Sequence, residues 1–192
     1  MSLIADALET LLRDHCTPAW VRAVEAGDSP GSLWDRIAES GFPDLLLPEA
    51  QGGAGEALAE LHPLLRACGR HAVPLPVGQT VAARALWHSG QMRHGRPLGS
   101  SGALGAGPVT LAPRLERAPD EGLRCPLLPF GRVCHRLSGQ VLAADGQGWL
   151  LLDAAQARCL ATGVTGSLAA TLAWDAGQGV SACGAEDLSG AL

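Results

Sequence analysis

The sequence predicts an α+β chain, an N-terminal all-α helical bundle followed by a small antiparallel β domain that is barrel- or sandwich-like. Two observations carry this. Helix punctuation recurs at short intervals up to Gly90, and beyond it short strand-like runs alternate with turn formers. Between them, 97–107 is rich in Gly and Ser, which places a boundary near 93–101 and divides the chain into 1–95 and 96–192.

Taken in order, Ser2 can cap a helix to about Asp14, with Leu3, Ala7, Leu8, Leu11 and Leu12 on one face at helical spacing. Thr17-Pro18 pairs a capping threonine with a proline at the first helical position, and Gly27 stops that helix. A third opens near Ser32, turns Leu33, Trp34, Ile37 and Ala38 inward, and ends at Gly41. The run 42–48 is expected to be extended or turn-like because two prolines steer their predecessors away from helix, and 51–55 to be a flexible loop. Helical spacing resumes from Glu56 to Arg70 through Leu58, Leu61, Leu65 and Cys68, with Pro63 kinking or splitting it. A last helix runs from Val77 or Thr80 to Ser89, stopped by Gly90.

Six strands are expected, at 109–112, 123–128, 137–143, 149–152, 158–161 and 168–174, with Asp145-Gly146-Gln147-Gly148 as the clearest hairpin turn. The tail from Ala185 is short, polar and Gly-containing. The expected core comprises Leu8, Leu11, Leu12, Trp20, Val24, Leu33, Trp34, Ile37, Leu46, Leu58, Leu61, Leu65, Val81, Leu86, Val141, Leu151 and Leu152.

Composition excludes several classes. With 47% hydrophobic and 17% charged residues, the 192-residue chain has the apolar surface to offset its chain entropy. A net charge of -5 without an arginine cluster gives no footprint for nucleic acid. Six cysteines without a C-x-x-C pair read as buried thiols in a reducing compartment. No stretch approaches the ~20 apolar residues of a membrane span and the start lacks a secretory leader, so a cytoplasmic protein is expected. Six histidines show no metal-ligand spacing, and neither a nucleophile elbow nor a phosphate-binding P-loop sequence occurs.

Four runs carry a family resemblance. They are Leu33-Trp34-Asp35-Arg36-Ile37-Ala38-Glu39-Ser40-Gly41-Phe42, then 46–55 with its Pro48-Glu49 followed by Gly52-Gly53-Ala54-Gly55, then 68–76, then 80–86. In this order and spacing they resemble the N-terminal helical domain of acyl-CoA dehydrogenases. Leu128-Pro129-Phe130-Gly131-Arg132-Val133 and Trp149-Leu150-Leu151-Leu152-Asp153 look like neighbouring strands of that family's middle β domain, here shortened.

The resemblance implies FAD held by three domains together, and an acyl-CoA oxidised between its α and β carbons. A carboxylate base takes the α proton and the flavin accepts the β hydride. The Thr-Glu-Pro and Trp-x-Ser/Thr segments that face the flavin in working members are not found here, and the C-terminal helical domain that supplies the glutamate base has no counterpart. The catalytic residues therefore stay unknown. Ser100, Ser101 and Gly102, in a Gly/Ser loop, are the candidates for cofactor contact; Pro48, Glu49, Gly52 and Gly53 are candidates for the substrate pocket; no metal is expected. The resemblance leaves open an acyl-chain or steroid-type substrate. It also leaves open whether the chain is a subunit completed by a partner that supplies the missing helices, a non-catalytic homodimeric binding module without flavin, or an inert remnant.

Overall fold

The computed structural model describes residues 3–93, 104–117, 122–144, 149–178 and 180–183. Helices come first and two small sheets follow, as the punctuation predicts. The helices are α1 (Leu3–His15), α2 (Pro18–Ala26), α3 (Gly31–Glu39), α4 (Leu61–Arg70), α5 (Val77–Arg93) and α6 (Gly131–Arg136). The strands are β1 (Val109–Ala112), β2 (Glu116–Arg117), β3 (Leu123–Leu128), β4 (Gln140–Ala144), β5 (Trp149–Asp153), β6 (Arg158–Ala161), β7 (Ala170–Trp174) and β8 (Val180–Cys183).

Capping chemistry sets the early boundaries. Thr17 Oγ1 accepts from Trp20 N at 3.3 Å, and Gly27, at φ 129°, turns its N–H back to Ala23 O and Val24 O. Helix α3 opens at Gly31 rather than Ser32, because Ser29 Oγ accepts the Gly31 N–H at 3.2 Å. The 42–48 run is not extended. Residues 42–44 form a 3-10 turn in which Pro43 sits where its missing N–H costs nothing, and 49–51 form a second.

A 3-10 turn at 58–60 precedes α4, which starts at Leu61, so Pro63 falls in the first helical turn and the 56–70 segment is split rather than kinked. Leu61, Leu64 and Ala67 go inward, while Leu58 and Leu65 are 49% and 47% exposed against expectation. Leu11, Trp20, Leu46 and Leu86 are half-buried, and the other expected core residues are buried. Helix α5 runs through Gly90 to Arg93, because a single glycine weakens a helix without ending it.

The strands form two four-stranded sheets, ordered β1-β4-β5-β8 and β2-β3-β7-β6. Pairing is antiparallel except between β1 and β4, which run parallel. That pair follows from β2, β3 and α6 lying between them in the chain, a connection long enough to cross over. The segment expected as a strand from 137 instead begins with the end of α6, and β4 starts at Gln140. The expected hairpin turn 145–148 lies outside the described residues, although Ala144 and Trp149 on either side are cross-strand partners.

Helix α5 joins the halves. Its Ala83 and Trp87 pack with Val109, Leu142 and Leu151 in one buried cluster. One turn earlier, Thr80 Oγ1 accepts from Val109 N at 2.9 Å and lies 3.1 Å from Val109 O, while Gln79 Oε1 accepts from Thr110 Oγ1 at 2.6 Å and Leu111 N at 3.1 Å. Two helix side chains thus close the strand edge that β4 leaves open.

Candidate functional site

The Pro48–Gly53 candidates lie on a loop that is hydrogen-bonded throughout rather than flexible. Gly52 N donates to Glu49 O at 2.9 Å, Gly53 N to Pro48 O at 3.2 Å, Gly55 N to Leu47 O at 2.8 Å and Glu56 N to Leu45 O at 3.1 Å. Gly52 takes φ 80° to close the turn. At Gly53 a Cβ would collide with the carbonyl oxygens of Leu47 and Asp44, so only glycine lets the loop fold this tightly.

Gly52 and Gly53, with Ala54, form one wall of a cavity of about 500 Å³. The opposite wall is Leu3, Ile4, Ala7 and Leu11 of α1, and Phe42 and Leu45 lie at its base. Such a volume lies within the range of small-molecule pockets, and its lining is apolar apart from Ser40 and backbone. Pro48 and Glu49 do not line it and stand exposed on the far side of the 3-10 turn. The structure therefore joins two of the four pocket candidates and separates the other two.

Ser100, Ser101 and Gly102 lie outside the described residues. Just after them, three side chains tie down the segment leading into β1. Arg84 Nη2 donates to Gly105 O at 3.0 Å, Trp34 Nε1 to Ala106 O at 3.2 Å, and Gly105 N to Gln140 Oε1 at 2.8 Å. Arg84 also pairs with Asp44 Oδ1 at 2.6 Å, with its side chain 11% exposed and its Nε buried without a partner. The 80–86 run does not single out Arg84 by spacing; the one signal in the sequence is a cation set between apolar neighbours, Ala82, Ala83, Ala85 and Leu86.

Other titratable groups serve structure. Glu9 of α1 binds His71 Nε2 at 2.9 Å and Arg70 Nη2 at 2.5 Å, and the His71 bond first, then Arg70, holds its carboxyl below the usual 4.5. His135 Nδ1 lies 2.9 Å from Ala154 O. Burial pushes the thiols of Cys68, Cys125 and Cys134 up to about 12, so none is a thiolate at neutral pH. Among the described residues Cys16, Cys68, Cys125, Cys134 and Cys159 are free thiols. Among the described residues no group of three or more His, Cys, Asp or Glu is placed to hold a metal, and no helix is long and apolar enough to cross a membrane.

Residues 2–94 match the family model of the acyl-CoA dehydrogenase N-terminal domain. Acyl-CoA dehydrogenase IpdE2 of Mycobacterium tuberculosis is 38% identical over 88 residues, which are 44% of this chain and 28% of that protein. The solved structure of Tcur3481-Tcur3483, a steroid ACAD, is 26% identical, with a TM-score of 0.60 over 92% of this chain and 55% of that one. The ChsE4-ChsE5 complex of Mycobacterium tuberculosis shares the fold at 19% identity, with a TM-score of 0.65 over 97% of this chain and 58% of that one. The chain thus spans little more than half the length of these solved relatives. It is acyl-CoA dehydrogenase-like, with that family's N-terminal domain at residues 2–94.

Proposed function

We propose that the chain acts in flavin-dependent α,β-dehydrogenation of an acyl-CoA, as a subunit whose partner chain supplies the base and most of the flavin site. The observation that carries this reading is the match of residues 2–94 to the acyl-CoA dehydrogenase N-terminal domain, on a fold shared with the two solved relatives. Both of those solved relatives bear paired names, which supports a two-chain assembly for this one.

The described residues do not fit a flavin by themselves. Space for a Cβ at Gly53, Gly131 and Gly139 is filled by the chain's own backbone, and the open glycines Gly41, Gly69, Gly163 and Gly177 stand singly. A diphosphate cradle needs successive N–H groups facing one concavity. What the described residues offer is an apolar cavity walled by Gly52 and Gly53, which takes the apolar end of the acyl group in this reading, straight-chain or steroid-type.

The test is co-expression with acyl-CoA dehydrogenase chains of the same host that carry a C-terminal helical bundle. A stable yellow complex, bleached by an acyl-CoA, is the expected result. A colourless, monodisperse chain with every such candidate would sink the reading. A colourless homodimer would instead establish the non-catalytic binding module, which the lack of a flavin cradle among the described residues favours as second choice.

A further inference from the structure

We propose that Arg84 is the positioning residue of this cavity, clamping the Gly52–Gly53 loop and the segment entering β1 to one helix so that the two move as one body. The inference rests on the reading of that loop as a pocket wall.

The geometry is a fork with prongs on different elements. Nη1 reaches Asp44 Oδ1 at 2.6 Å, and Nη2 reaches Gly105 O at 3.0 Å. Asp44 is the foot of the loop: its carbonyl accepts Leu47 N at 3.0 Å, and Leu45 O and Leu47 O accept the returning strand of the loop through Glu56 N and Gly55 N. Gly105 belongs to no helix or strand, four residues before β1, and its C=O and N–H are bonded by the side chains of Arg84 and Gln140.

Gln79 and Thr80, one turn earlier on α5, reach β1 alone. Arg84 is the side chain of α5 that also reaches back to the loop. The task suits arginine, whose rigid planar guanidinium serves two acceptors at once, whereas a lysine ammonium is a point charge. The side chain is 11% exposed and its Nε is buried without a partner, so the guanidinium is desolvated beside Asp44 at a cost, while the prong to Gly105 O lies at the surface. A cation held at such a cost with acceptors on two backbone segments far apart in sequence is explained by the link it makes.

The test is amide hydrogen exchange on the full chain for wild type, Arg84→Met, Arg84→Lys and Asp44→Asn. It needs neither flavin, acyl-CoA nor partner, so its failure is separate from failure of the dehydrogenase reading. In Arg84→Met, the amides of Gly53, Gly55 and Glu56 and that of Gly105 should all exchange about tenfold faster. Asp44→Asn should release the loop only. Arg84→Lys, which keeps the pair with Asp44 but loses the second prong, should release Gly105 only and restore the loop. The proposal falls if Arg84→Met frees one segment without the other, if Arg84→Lys matches wild type at Gly105, or if exchange rises evenly through α1 and β4–β5, as a general loss of stability would give. Should Arg84→Met not fold, the opposite patterns of Arg84→Lys and Asp44→Asn still decide.

Discussion

Trp34 shows how one side chain serves both packing and register. It is 5% exposed in the helical core, and its indole N–H reaches Ala106 O at 3.2 Å across 72 positions of sequence. Trp34→Ala should cost about 3–5 kcal/mol by urea denaturation, the usual range for deleting a buried aromatic. Trp34→Phe keeps most of the packing and removes the donor, so about 1 kcal/mol is expected. Glu9 makes a prediction of opposite character, in pH. Its carboxyl titrates below 4.5 in the folded chain because His71 and Arg70 favour the anion. A lowered folded value means stability that is present above the unfolded value and lost as pH falls through the folded one. Melting temperature should therefore drop on acidification below about pH 4.5, and Glu9→Gln should flatten part of that limb. An identical acid profile in the variant would remove Glu9 from the account.

At the scale of the element, α4 shows where periodicity reads well and where it misleads. The apolar spacing correctly announces a helix ending near Arg70, but Leu64 and Leu65 stand at i+3 and i+4 from the buried Leu61, so spacing fits either one and tertiary packing selects Leu64. Leu64→Ala should cost about 2–5 kcal/mol, whereas Leu65→Ala, 47% exposed, should stay well below that in the same denaturation assay. Thr17, Pro18 and Gly27 were legible because their chemistry is local. Helix α6 was not, since six residues hold less than two turns of pattern, and two-residue β2 is too short to alternate visibly. The candidate site divides in the same way. Gly52 and Gly53 announce a loop from sequence but not its tight hydrogen-bonded form; their meeting with Leu3, Ala7 and Leu11 depends on tertiary packing, and so does the partnership of Arg84 with Asp44 and Gly105. Thr80 belongs here too. It is fully buried, and Thr80→Val would leave the Val109 N–H unpaired at about 1–3 kcal/mol, measurable as faster exchange of the Val109 amide.

For the whole molecule, the decisive feature is that the seam between helices and sheets is itself core. Ala83 and Trp87 of α5 share a buried cluster with Val109, Leu142 and Leu151, and the polar closure of β1 by Gln79 and Thr80 lies beside it. Were the halves independent, each would bury its own apolar face and the contact would resemble a polar, transient interface. Here Trp87 is 6% exposed and Val109 is fully buried, so parting the halves would expose an aromatic face and an open strand edge at once. The chain should therefore unfold in a single calorimetric transition, with van't Hoff and calorimetric enthalpies equal. Trp87→Ala should lower that transition as a whole, by about 3–5 kcal/mol, rather than splitting off a helical component. Two resolved transitions in the wild type, or a variant in which only the helical signal melts early, would show the halves to be separate units. In that case a partner chain would have to orient them, instead of docking on a surface already fixed by α5.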